Sequence, residues 1–127
     1  MDIRRLQGMR WYRLELFAGS DLFESLRDFL NREGLREAYV LSCIGSVDKV
    51  VLAYPTTHSV VPEVAQVTLE GLFEINGLAG EIRQTEGQVK IHLHGSLSRQ
   101  AREVVGGAFL EGTRILKMAE LIIAGVK

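Results

Sequence analysis

His92 and His94 stand two residues apart in KIHLHGSLSRQAREVVGGAFLEG, the stretch from Lys90 to Gly112. If the segment is extended, side chains alternate between its two faces. Lys90, His92 and His94 then share one face, and Val89, Ile91 and Leu93 share the other. Two imidazoles on one face lie about 7 Å apart at their backbone positions and can turn inward onto a single transition metal. The pair supplies only two ligands, whereas zinc sites draw three or four from protein, with an open position for water where catalysis occurs. The spacing alone therefore raises zinc without establishing it, and the alternative is a pair of polar residues on the wet side of a sheet.

Other chemistries fare worse on the same residues. A cupin-type His-x-His is followed by a carboxylate where this chain has Arg99. There is no G-x-S-x-G for a hydrolytic serine. The glycines of VVGGAFLEG follow neither the P-loop nor the dinucleotide pattern. Gly106, Gly107 and Gly112, with Gly45 earlier, are instead expected at structural turns and bends. Cys43, the only cysteine, lies in the apolar run AYVLSCIGSV, which marks a buried small side chain and excludes an internal disulfide.

The elements that would position the histidines follow from periodicity. RWYRLELFAG alternates, with Tyr12, Leu14 and Leu16 on one side, and predicts a half-buried strand. In SDLFESLRDFLNREG the period changes to that of a helix, with Leu22, Phe23, Leu26, Phe29 and Leu30 forming the apolar stripe. Ser20 is expected to cap its start, beside Asp21 and Glu24, and Gly34 to end it. EAYVLSCIGSV and KVVLAY predict two strands with a bend at Gly45-Ser46. The proline-containing PTTHSVVPE predicts a loop. VAQVTLEGLFEING and LAGEIRQ predict two more strands, and TEGQ a hairpin turn before VKIHLHGSL. SRQAREVVGGAFLEG is expected to be a link, and TRILKMAELIIAG a final strand. These elements make one α+β domain over residues 1–127, a mostly antiparallel sheet with one main helix on it.

The totals narrow the function. The 127 residues suit one domain, and a formal net charge of −1 does not provide the basic excess of a non-specific nucleic-acid binder. The cluster Arg4, Arg5, Arg10 and Arg13 is expected to be a solvated edge. No segment has the pattern of a signal peptide or a membrane span, so a cytoplasmic protein is expected.

In their order, GSDLFESLRDFLNREGL, AYVLSCIGSVDKVVLAY, EVAQVTLEGLFEING, IHLHGSLS, VVGGAFLEG and AELII resemble the PPC (plant and prokaryote conserved) domain. The resemblance runs from about residue 14 to 123. It rests most on the Gly-Ser at 45–46, Glu63, Leu69-Glu70-Gly71, the His-x-His strand and the G-G-x-x-x-x-G pattern. It implies a homotrimer with a largely antiparallel sheet, and a family commonly described as DNA-binding. In some prokaryotic members it also implies a metal held by the His-x-His pair and a third histidine of a G-G-H motif. The match carries over to His92 and His94 and fails at Ala108, which has no ligand atom. His58, Glu111 and Glu120 are the candidate substitutes. The family's basic AT-hook is absent from this sequence.

The resulting expectation is a trimeric PPC-type interaction or DNA-associated module, not an enzyme, with no cofactor and only weak DNA association. The alternative is a metal- or small-molecule-binding protein, or an enzyme, working at His92 and His94, with zinc as the metal and Glu111 or Glu120 as acid or base.

Overall fold

The chain begins and ends its sheet at the same edge. A computed structural model describes residues 1–127 and contains strands β1 (Arg10–Phe17), β2 (Glu37–Pro55), β3 (Val64–Thr85), β4 (Gln88–Arg99), β5 (Glu103–Phe109) and β6 (Arg114–Val126), with helix α1 (Leu22–Glu33) after β1. All pairings between strands are antiparallel. The order is β1-β6-β2-β3-β4-β5, and a short pairing of Leu52 and Ala53 with Phe109 and Ala108 brings β5 back onto β2. β2, β3, β4 and β5 thus close on themselves, while β6 and β1 extend the sheet from the first half of β2.

Helix α1 forms where the apolar period predicts. Leu22, Leu26 and Leu30 are fully buried and Phe23 and Phe29 nearly so, each worth about 1.5–3 kcal/mol of apolar transfer. Asp21, not Ser20, is the N-cap. Its carboxylate accepts from the backbone N–H of Phe23 (2.9 Å) and of Glu24 (3.0 Å). Ser20 is held one position outside, where its backbone joins Phe17 and Ile115. Gly34 ends the helix in the left-handed conformation, as expected. The helix stripe meets Val40, Val47, Phe73, Leu93, Leu97, Ile115, Leu121 and Ile123 in one core.

The strands are longer than the sequence predicts. The segments on either side of Gly45-Ser46 form one 19-residue strand, whose bend is a set of register shifts between Val40 and Lys49. The next two predicted strands merge into the 22-residue β3, with one shift at Ile75–Gly77. The link expected after β4 contains a strand, β5. Gly45, Gly106 and Gly107, expected at turns, lie inside strands, and only Gly112 sits in one. Close backbone approach explains them: a Cβ would lie 2.2 Å from the Met118 carbonyl oxygen at Gly45 and 2.6 Å from that of Gly95 at Gly106. The TEGQ hairpin forms with Glu86 and Gly87 both at positive φ. No helix is long and apolar enough to cross a membrane.

Candidate functional site

Alternation on β4 separates core from site. Leu93 and Leu97 are fully buried, while His92 and His94 are exposed on the opposite, outer face of the sheet. Neighbouring strands set what lies beside them. His92 is directly across from Glu81 of β3, which is across from Tyr39 of β2, so all three share a face. His94 lies between Ala79 of β3 and Ala108 of β5. Gly80 lets β3 approach closely behind the pair, because a Cβ there would stand 2.0 Å from the His92 carbonyl oxygen. The result is a shallow recess of about 360 Å³ lined by Tyr39, Ala79, Gly80, Glu81, His92 and His94.

The rings meet edge to face, with centroids 4.8 Å apart and Nε2 to Nε2 at 3.0 Å. That contact needs one ring to donate an N–H and the other to accept it on an unprotonated nitrogen. Two nitrogens bound to one tetrahedral zinc would stand about 3.3 Å apart, so the pair is close to a chelating separation. The rest of a metal shell is missing. No group of three His, Cys, Asp or Glu side chains comes together in a way that could hold a metal ion. Ala108 occupies the adjoining position on the same face and presents a methyl group. The donor set does not fit a three-histidine metal.

The proposed substitutes are engaged or elsewhere. Glu111 pairs with Arg27 of α1, and Glu120 pairs with Arg13 on the β1–β6 side of the sheet, 3.2 Å away. His58 lies in the loop between β2 and β3. The carboxylate that register does bring beside His92 is Glu81, and its Oε2 accepts from Arg83 Nε and Nη2 at 3.1 and 2.8 Å. This bond is the main reason the Arg83 guanidinium is held above its ordinary pKa. Tyr39 and Glu81 were not identified from sequence, because cross-strand register has no local signature. Tyr39 also ties the site to the N-terminal segment: Arg4 Nη2 donates to its hydroxyl (3.3 Å) and to the nearly buried Glu37 carboxylate (2.9 Å).

The family model of the Plants and Prokaryotes Conserved (PCC) domain matches residues 4–127. The chain belongs to this family. Among solved structures, a hypothetical protein from Salmonella superposes on this PCC-domain chain with a TM-score of 0.82 and 29% identity, over 96% of this chain and 81% of that one. A metal-containing protein from Archaeoglobus fulgidus shares the fold with a TM-score of 0.83 at 23% identity, over 99% and 86%. A candidate DNA-binding protein from Bacteroides thetaiotaomicron does so at 0.78 and 18%, over 97% and 81%. The bifunctional protein GlmU of Synechococcus sp. (strain JA-3-3Ab) is 28% identical over 116 residues, which are 91% of this chain. The chain spans 17% of the length of that curated relative.

The remaining nucleophile is Cys43. It is buried on β2, and desolvation pushes its thiol up to about 12, so the thiolate is suppressed at neutral pH.

Proposed function

We propose that this PCC-domain chain works in the cytoplasm as a homotrimeric interaction module and not as a catalyst. The observation that carries this reading is the outer face of β1, β6 and β2. Trp11 and Phe17 on β1 and Ile44 on β2 are each more than 60% exposed. Register joins them through β6, where Trp11 faces Ala124, Phe17 faces Met118, and Ile44 faces Glu120. Between them Arg13 pairs with Glu15 and Glu120. Three large apolar side chains left open on one face around a central group of ion pairs suit a subunit interface, and closed symmetry buries them without leaving a sticky end. Light scattering on the purified chain tests the reading: a mass of three chains is expected, and Ile44→Glu is expected to release monomers. A monomer mass for the unaltered chain at micromolar concentration would overturn it.

DNA association, the property attached to the Bacteroides neighbour, is proposed here only as weak and salt-sensitive. Of the N-terminal arginines, Arg4 and Arg13 already have carboxylate partners, leaving Arg5 and Arg10 for phosphate. Each phosphate contact contributes about one unit of salt slope, so anisotropy titrations with AT-rich and mixed duplexes should lose binding on going to physiological salt. Nanomolar, duplex-selective binding at that salt would make DNA recognition the main function.

The second reading, metal binding at His92 and His94, is supported by their 3.0 Å approach and by the metal of the Archaeoglobus neighbour. Ala108 argues against tight binding. Zinc is expected to be lost on dialysis against a mild chelator and to be retained by Ala108→His. Stoichiometric zinc surviving in the unaltered chain would show that a further donor completes the shell.

A further inference from the structure

A second recess, of about 710 Å³, opens at the other end of β4, among β2, β3, β6 and the turn into β5. It is distinct from the histidine recess and shares no residue with it. Its volume lies in the range of small-molecule sites, which are mainly apolar with a few placed polar groups. The ring of Phe73, itself buried, forms part of the floor. The Arg99 guanidinium lies over that ring, 5.5 Å from its centroid. Glu103 holds Arg99 in place by accepting from Nε (3.0 Å) and Nη2 (2.5 Å). Nη1 has no protein partner. Across the recess, Lys117 of β6 is anchored by its backbone N–H to Ser46 Oγ at 3.2 Å, and its ammonium forms no ion pair.

The rim is also fixed. Gln100 and Ala101 take left-handed φ values of 53° and 56° in succession, without a glycine, and both line the recess. The sequence thus keeps side chains where a glycine would relax the turn. Glu74 stands on the same wall with no cation partner, across from Ser46 in β2 and Ser98 in β4. A guanidinium already oriented by an aromatic ring and a carboxylate is suited to a planar anion. An unpaired ammonium opposite adds a second positive group. The unpaired Glu74 carboxylate in the same lining opposes a second negative charge.

We propose that this recess binds a small molecule with a flat apolar body and a single carboxylate. The body lies against Leu72 and Leu116, above the buried ring of Phe73, and the carboxylate meets Arg99 Nη1 and Lys117.

The test is a ¹⁵N-edited NMR titration of the full chain with benzoate, its neutral isostere benzamide, and phenyl phosphate. Benzoate is expected to give saturable shifts at Phe73, Arg99, Gln100, Ala101 and Lys117, and to bind more tightly than either alternative. Lys117→Gln, at an exposed position, should weaken benzoate about tenfold, the worth of one charge-assisted hydrogen bond, and leave benzamide unchanged. Arg99→Gln should do the same, and its unperturbed spectrum outside the recess would show that it is folded. Shifts that do not saturate, that fall elsewhere, or that are as strong with benzamide would overturn the site. Equal or tighter binding of phenyl phosphate would overturn the preference for a single charge.

Discussion

The two faces of β4 are made of the same backbone and obey different rules. On the inner face, Leu93 and Leu97 touch the helix-covered core and have no exposed surface. On the outer face, His92 and His94 are in water, in contact with each other and bordered by Glu81 and Ala108. Inner positions are constrained by volume, because interiors are close-packed and every missing methylene leaves a gap. Outer positions are constrained only by what they bind. An outer position such as 108 can therefore change between alanine and histidine at little cost to folding.

The contrast is sharpest in stability. Leu93→Ala should cost about 2–5 kcal/mol, read as a lowered denaturation midpoint with an unchanged slope. A smaller loss would mean that the core can collapse around the cavity.

Cys43, inside the sheet, gives a pH-dependent version of the same test. Its thiol is raised from 9.0 to about 12 in the folded chain. Between those values the unfolded chain has lost the proton and the folded chain keeps it. Stability from this group is thus intact below pH 9 and falls as pH rises, by at most about 1.4 kcal/mol per unit. Comparing unfolding of the unaltered chain and Cys43→Ala at pH 8 and pH 10 isolates it. A thiol that reacts readily with iodoacetamide in the folded state would contradict the burial.

Next in size is the helix cap. Asp21→Ala removes both acceptor contacts and should cost about 1 kcal/mol, whereas Ser20→Ala should cost much less, since Ser20 is not the cap. Smallest is the outer face itself: His92→Ala should change stability by no more than about 0.5 kcal/mol. A larger loss would show that the imidazole pair is part of the structure and not only of a site.

What could be read from sequence follows this division. The helix was legible because five apolar residues fall on one stripe, and β4 because its apolar and polar residues alternate without a break. The hairpin at Glu86-Gly87 was legible because glycine announces a left-handed turn. The turn into β5 carries no such signal, since Gln100 and Ala101 adopt left-handed φ without being glycine or asparagine. The glycines that do occur nearby, Gly106 and Gly107, mark close packing between strands, and in the sequence alone they have the look of a link. Gly45 and Gly77 likewise divided β2 and β3 into shorter pieces than the pairing allows, because register shifts carry a strand through a bend that periodicity reads as an end. The histidine pair was visible as a motif. Its neighbours Tyr39 and Glu81 were not, because they lie on other strands and only pairing brings them alongside. Ala108 stands out in the sequence only through the family resemblance, and register sets it directly across from His94.

The way the sheet is threaded has a consequence for how the chain folds. β1 near the start pairs only with β6 at residues 114–126, and β2 needs β6 along most of its first half. Neither edge can be completed while the chain is still being made. Helix α1 and the β3–β4 hairpin can form from local contacts, but the core they share stays open until β6 arrives. Such distant pairings slow folding, because loop closure comes before the contacts that reward it. Until then Trp11, Phe17 and the free edge of β2 stand unpaired, and the interval before β6 docks is when the chain is most exposed to aggregation.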